Sequence, residues 1–238
     1  MNVQRYARIA GVLFLVSLVA GGFGEAYVPS KLIVSADAAT TVANLRNFDF
    51  LYRLSFAAFL IESMCDIALA LILYALLRPV SKYLSLLAAF FGLGGIAIGA
   101  ATSLVRLAPL VLLRSDQYLS TFTPNQLQTM ALAALRLYEQ AFLIAMVFFG
   151  LQCVLVGCLI VRSTFLPRIL GVLLALGGLS YVISSLANFL APAFGARLAP
   201  FIVPAAILGE GSLTLWLLLM GVNAQRWNEQ ASAATIRT

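Results

Sequence analysis

Ionisable and amide side chains inside long apolar runs are the residues of this sequence that could do chemistry. Only 10% of the 238 residues are charged, yet seven polar side chains lie in or beside segments long enough to cross a bilayer. An ionisable residue in such a segment costs about 2.5 to 3.5 kcal/mol on insertion scales and is therefore a functional candidate. The seven candidates are Glu62, Asp66, Arg106, Arg136, Glu139, Asn188 and Glu210.

The deepest of these candidates are two carboxylates on one helix. Glu62 and Asp66 are four residues apart and therefore share a helix face. At 1.5 Å per residue, Glu62 lies about 18 Å below the start of its span, and Arg106 lies about 10 Å below the end of the next one. We therefore expect Arg106 to reach Glu62. Small residues on the helix of Arg106 let another helix approach closely. They are Gly92, Gly95, Gly99 and Ser103.

All seven candidates fall in the same half of the bilayer, and Glu210 lies about 14 Å deep. The sequence thus predicts a polar pocket, open to the extracytoplasmic side, as a ligand-binding site. The alternative is a set of buried ion pairs that fixes helix register without binding anything. For Arg136 and Glu139, pairing at the membrane surface is a further alternative. Three deep acids exceed what one deep arginine neutralises, so we expect protonation or a bound cationic ligand.

Several kinds of chemistry are excluded or unsupported. The sequence has no histidine, which excludes His-ligated zinc or haem and Ser-His or Cys-His nucleophile pairs. Cys65, Cys153 and Cys158 lack metal-ligand spacing, and we interpret them as small apolar core residues. We therefore predict no catalytic residue, no metal ion and no cofactor.

The elements that position these residues are membrane helices. About 20 apolar residues are needed to cross the hydrocarbon core, and the sequence contains six such runs. It therefore predicts an all-α bundle of six transmembrane helices, which form a single membrane domain, 1–238. The predicted spans are 8–24, 51–77, 83–113, 137–162, 168–191 and 200–223, followed by a tail, 224–238.

The connections predict how the helices are arranged. Residues 78–82 and 162–168 are very short links, typical of antiparallel neighbours. After the first span, Ser35 or Asp37 is placed to cap a short amphipathic helix that lies on the membrane surface or over the bundle. Thr123 and Gln126 form a capping-box pattern, and no proline follows from 125 to 161, which predicts a helix about 57 Å long.

The basic residues predict the orientation. Eight of the 15 basic residues lie beside the termini and the even-numbered loops, where Glu229 is the single acid. The other seven basic residues lie elsewhere in the chain, together with the remaining eight acids. This asymmetry follows the positive-inside rule and predicts that both termini are cytoplasmic. No basic patch with interleaved aromatic residues is present, so nucleic acid is not an expected partner.

Short motifs spread over nearly the whole chain resemble the DUF4386 family of prokaryotic integral membrane proteins. The motifs are Ala7–Gly11, Cys65–Leu69, Leu77–Val80, Val147–Gly150, Leu166–Leu173, and Gly209–Glu210 near Leu215–Leu217. The family is a domain of unknown function, so the resemblance implies no activity, substrate or cofactor. It implies a location in the bacterial cytoplasmic (inner) membrane.

Three functions remain open from the sequence. The first is binding or transport of a small cationic ligand, a proton or an amphiphile in the acidic pocket, with the lipid bilayer and a small-molecule or lipid ligand as partners. The second is an accessory or structural membrane subunit that binds a protein or lipid. The third is a histidine-free enzyme in which Glu62 and Glu210 face each other as an acid-base pair.

Overall fold

The computed structural model describes residues 2–114 and 120–236, and this part of the chain consists of α-helices, two π turns and short connections, without strands. The helices are α1 Val3–Gly21, α2 Val28–Leu32, α3 Ala38–Asn47, α4 Asp49–Leu77, α5 Lys82–Arg106, α6 Ala108–Leu112, α7 Pro124–Arg162, α8 Arg168–Leu190, α9 Pro192–Ala206, α10 Ser212–Leu219 and α11 Ala224–Ile236. The π turns are Gly22–Tyr27, between α1 and α2, and Ile207–Gly211, between α9 and α10.

Six helical stretches of the described chain are long and apolar enough to cross a membrane, which confirms the predicted fold class. They are numbered here as spans one to six: Val3–Leu32, Asp49–Leu77, Lys82–Leu112, Pro124–Arg162, Arg168–Leu190 and Pro192–Leu219. The chain is therefore an integral membrane protein.

Three spans are longer than predicted, and for span four the reason is that its helix begins at the capping box. Span one continues to Leu32 instead of ending near residue 24, and span six begins at Pro192 instead of near residue 200. A charged residue interrupts the apolar run in each of them, Glu25 in span one and Arg197 in span six, but the helical backbone continues past it. A charged side chain ends an apolar run without breaking the backbone hydrogen bonds, so the helix extends beyond the run.

The amphipathic helix predicted after the first span is α3. Its N-cap is Asp37, whose carboxylate accepts hydrogen bonds from the hydroxyl of Thr40 at 2.5 Å and from its N–H at 2.9 Å. These two bonds lower the pKa of Asp37. Val42 and Leu45 are each 2% exposed, and α3 packs on α7 and α4. The helix thus covers the end of the bundle, which was one of the two predicted positions.

The central helix of the bundle is α7, which packs along both α5 and α8. Its predicted capping box is confirmed, since Thr123 Oγ1 accepts from the N–H of Gln126 and Gln126 Oε1 accepts from the N–H of Thr123 at 2.8 Å. The small-residue stripe of α5 is buried. At Gly95 an added Cβ would lie 3.3 Å from the carbonyl oxygen of Ala145 on α7. The stripe therefore allows the close approach that the sequence predicts.

Both ends of the described chain lie at one end of the bundle, named here the terminal face, together with the links 78–82 and 163–167. The side chain of Gln4 donates to the carbonyl of Met220 at 2.8 Å and accepts from the N–H of Val222 at 3.0 Å. The indole of Trp227 donates to the carbonyl of Leu76 at 2.8 Å. These bonds attach the segment before α11 to α1, and α11 itself to α4. The opposite end, which holds α3 and α6, is named the loop face.

The three cysteines have different surroundings. Cys153 is buried, as predicted, and Cys65 is half-buried. Cys158 is exposed, so the prediction of a core residue is wrong there. It lies on the outer surface of span four, which shows that an apolar run contains lipid-facing positions as well as core positions.

A close helix contact that a single substitution can test is between Gly157 of α7 and Gly171 of α8. A Cβ at Gly157 would lie 2.5 Å from the carbonyl oxygen of Gly171, so Gly157→Ala forces the two helices apart. We expect a loss of about 1–3 kcal/mol, measured as a lower thermal unfolding midpoint in detergent micelles. Gly22→Ala is the control, because an added Cβ there meets nothing within 4 Å. Equal midpoints for the two variants would contradict this packing.

Candidate functional site

Arg106 is the centre of a buried polar network near the loop face. Its side chain is 3% exposed and forms an ion pair with Glu25. The same guanidinium donates to the carbonyl of Gly24 and to the hydroxyl of Ser55, both at 2.7 Å. Tyr138 donates its hydroxyl to the second oxygen of Glu25 at 2.7 Å. This network joins spans one, two, three and four.

Two tyrosine rings complete this network. The guanidinium carbon of Arg106 lies 5.4 Å from the ring centroid of Tyr138 and 5.9 Å from that of Tyr52, which is cation–π geometry. The hydroxyl of Tyr52 donates to the backbone carbonyl of Arg106. Together these residues are named the arginine cluster: Glu25, Tyr52, Ser55, Arg106 and Tyr138.

The predicted pairing of Arg106 with Glu62 is wrong, because Glu25 occupies that position. Glu25 lies in the first π turn, and such turns occur mostly as single insertions, frequently at functional sites. Gly24 allows α4 to approach, since a Cβ there would lie 2.9 Å from the carbonyl oxygen of Ser55. In the sequence Glu25 ends the first apolar run, so it was not among the predicted site residues.

A sequence signal for Glu25 does exist. The dipeptide Gly24-Glu25 recurs as Gly209-Glu210, and each copy lies in one of the two π turns. Glu210 is 5% exposed and accepts a hydrogen bond from the hydroxyl of Tyr181 at 2.9 Å, as Glu25 accepts one from a tyrosine. At Gly209 an added Cβ would lie 2.9 Å from the carbonyl oxygen of Leu173. The two π turns thus present a buried glutamate in the same way.

Glu62 and Asp66 both face span one from α4. The hydroxyl of Ser17 donates to Asp66 at 2.6 Å. Glu62 lies against Gly21, where an added Cβ would be 2.5 Å from Glu62 Oε1. The other oxygen, Oε2, is buried and has no hydrogen-bond partner among the described residues. A buried polar atom without a partner is uncommon in native structures and calls for an explanation.

Glu62, Asp66 and Glu210 form a second group, named here the carboxylate cluster. Glu62 lies within electrostatic range of Asp66 and Glu210, and also of Glu25 and Arg106, and Glu210 lies within range of Asp66. None of the ion pairs between described residues involves any of the three. A crevice of about 20 Å³ lies beside Asp66, lined by Gln152, Cys153 and apolar side chains. That volume holds about one water molecule.

The other three predicted site residues lie apart from this cluster. Arg136 and Glu139 pair with each other at 2.6 Å, and their side chains are 40% and 41% exposed. Arg136 also donates to the carbonyl of Ser35 at 2.8 Å, which ties α7 to the loop before α3. The amide of Asn188 donates to the carbonyl of Ser184 on its own helix at 2.9 Å. The structure therefore divides the seven candidates among four places.

The stability of the arginine cluster can be tested against an exposed pair. Glu25→Gln leaves the buried charge of Arg106 without its counterion, and we expect a loss of about 3–5 kcal/mol in the free energy of unfolding. The matched control is Asp49→Asn, which breaks the pair of Asp49 with Arg53, where the side chains are 47% and 49% exposed. Exposed pairs contribute about 0–1 kcal/mol. Denaturant titration in micelles measures both, and similar losses would contradict a buried ion pair.

Comparison with known proteins relates the chain to one family and to an uncharacterised relative. An uncharacterised protein of Archaeoglobus fulgidus is 26% identical over 156 residues, which cover 66% of this chain and 76% of the relative. No solved structure matches the chain. A family model described as a domain of unknown function, DUF4386, matches residues 9–221. The chain therefore belongs to the DUF4386 family.

Proposed function

We propose that this membrane protein binds protons on the carboxylate cluster and uses their exchange in binding or transport within the bilayer. The observation that carries the proposal is Oε2 of Glu62, a buried carboxylate oxygen without a hydrogen-bond partner among the described residues. Ionised, this oxygen has no hydrogen-bond donor among the described residues to stabilise its charge. A proton on the carboxyl removes that charge.

The charge balance of the bundle supports the proposal. Arg106 is a buried arginine of the bundle, but its guanidinium forms an ion pair with Glu25. The three acids of the carboxylate cluster have no ion-pair partner in the described part of the chain. An isolated ionised carboxylate in a medium of low dielectric constant is very costly and tends to become neutral instead. A cation from outside the protein is therefore needed, and the proton is the smallest one.

The space at the cluster favours a proton over larger cations. No group of three acidic or cysteine side chains among the described residues is arranged to hold a metal ion. The crevice beside Asp66 has room for about one water molecule, which is too little for an amphiphile. Hydroxyl groups already adjoin two of the acids, Ser17 at Asp66 and Tyr181 at Glu210. Hydroxyls both donate and accept, so they are suited to pass protons between carboxyls.

The cellular location forms part of the same proposal. The excess of arginine and lysine at the terminal face supports a protein of the bacterial cytoplasmic membrane with both termini in the cytoplasm. The carboxylate cluster then lies near the membrane centre, since Glu62 is 13 residues from Asp49 and 15 from Leu77, the two ends of its span.

The pH dependence of stability tests the proton sites. If folded Glu62 keeps its proton at neutral pH, unfolding releases it, because an unfolded glutamate is ionised above about pH 5. The folded state then binds more protons than the unfolded state, so stability falls as pH rises, by up to about 1.4 kcal/mol per pH unit for each proton. We expect Glu62→Gln to flatten this slope between about pH 5 and 8, measured by denaturant titration.

Glu139→Gln is the matched control for this measurement. It removes an acid from the same bundle, but one whose side chain is 41% exposed, so the wild-type slope should persist. Infrared spectroscopy gives a second readout, because a protonated carboxyl at Glu62 has a carbonyl band that Glu62→Gln removes. An unchanged slope together with an unchanged band would refute the proposal.

The orientation is tested with reporter fusions in a bacterial host. Green fluorescent protein fused after residue 238 should fluoresce, and alkaline phosphatase fused there should be inactive, because the terminal face is expected to be cytoplasmic. Phosphatase inserted after Ser35, at the loop face, should be active. The reverse pattern would invert the proposed topology.

A further inference from the structure

A polar groove of about 950 Å³ lies at the terminal face, between α11 and the links 78–82 and 163–167. It is separate from the carboxylate cluster, and nothing in the proposed function uses it. Its polar lining comes from the 163–167 link, the start of α8 and one side of α11. These lining residues are Ser163, Thr164, Arg168, Arg226, Glu229 and Gln230.

The groove is held in shape by the docking of α11. Gln230 Oε1 accepts two hydrogen bonds from Thr164, one from the N–H and one from the hydroxyl, both at 3.0 Å. The N–H of Asn223 donates to the carbonyl of Phe165 at 3.1 Å, and the indole of Trp227 is anchored on Leu76. The two walls of the groove are therefore fixed relative to each other.

The groove presents two arginines whose hydrogen-bonding capacity is largely unused. The side chain of Arg168 forms no hydrogen bond or ion pair with a described residue, and the guanidinium of Arg226 donates a single long bond, 3.4 Å, to the carbonyl of Thr164. The acid of the groove, Glu229, accepts a hydrogen bond from Gln225 at 3.0 Å. Two guanidinium groups facing one carboxylate leave a net positive charge. Guanidinium binds phosphate through paired N–H donors.

An apolar strip continues from the groove along the outside of α8. Val172, Leu176 and Leu179 follow Arg168 at intervals of four, eight and eleven residues and therefore share its helix face. They are 43%, 58% and 43% exposed, and in a membrane this face contacts lipid. A positive site at the membrane surface thus adjoins an apolar strip that descends into the bilayer. An occupant that matches both parts has an anionic head and an apolar tail.

We propose that the groove binds the headgroup of an anionic phospholipid. Its phosphate contacts Arg168 and Arg226, and its acyl chains lie along the outer face of α8. Basic pockets at the ends of membrane helices bind anionic headgroups by the same physics. A free phosphate ion would use the arginines but not the apolar strip, which is why the lipid is the better match.

The test uses the full chain in detergent micelles and measures its thermal unfolding midpoint against added short-chain phosphatidylglycerol. We expect phosphatidylglycerol to raise the midpoint and phosphatidylcholine of the same chain length to raise it much less. In the double variant Arg168→Gln/Arg226→Gln, about tenfold more phosphatidylglycerol should be needed for the half-maximal shift. The corresponding double lysine variant should keep most of the response, because it keeps the charge.

Arg46→Gln is the matched control, since Arg46 is an exposed arginine on α3 at the loop face and should leave the lipid response unchanged. Both groove arginines are exposed as well, and the lipid-free midpoint of the double glutamine variant checks that its fold is intact. Equal effects of the two lipids, or a wild-type response in the double glutamine variant, would overturn the proposal. So would inorganic phosphate that reproduces the full shift, because the groove would then be a site for the free ion.

Discussion

A charge inside a bilayer must find its partners within the protein, and the structure of this chain depends on how that requirement is met at Arg106. The guanidinium is surrounded by the carboxylate of Glu25, a backbone carbonyl, a serine hydroxyl and two tyrosine rings. These groups come from three spans, and Arg106 itself lies on a fourth. The half of the bundle near the loop face is therefore joined by a polar network, whereas the half near the terminal face has an extended apolar core. Because Glu25 neutralises Arg106, the remaining deep acids have no counterion among the described residues.

The two π turns place their glycine and glutamate residues in the same way. Each places a glycine against a neighbouring backbone and the next residue, a glutamate, against a tyrosine hydroxyl. One extra residue in the turn rotates the following side chains around the helix axis, which directs the glutamate inward. By this criterion Glu210 corresponds to Glu25. The two glutamates differ in their surroundings, since Glu25 has an arginine and Glu210 does not.

Much of the fold was predictable from local patterns. The six spans follow from apolar runs, the start of α7 follows from the capping box at Thr123, and the cap of α3 was narrowed to Ser35 or Asp37. Each of these features depends on residues within a few positions of one another, so the sequence contains the needed information. The site was less predictable. Glu62 and Asp66 were found because they lie in an apolar run, but Glu25 was taken for a span boundary, and the exposure of Arg136 and Glu139 was left open between two alternatives.

By itself, the sequence determined the class of molecule, the number of its spans and which side chains are costly in hydrocarbon, because these properties depend on composition and on spacing along one helix. Only the tertiary structure decided which charges meet. The partner of Arg106 depends on which helices are neighbours and on how each is rotated, and the π turn at Glu25 changes that rotation without changing hydropathy. The same packing leaves an oxygen of Glu62 buried and unpaired. The burial of this oxygen is not a property of one helix, since it arises only where α4 packs against span one.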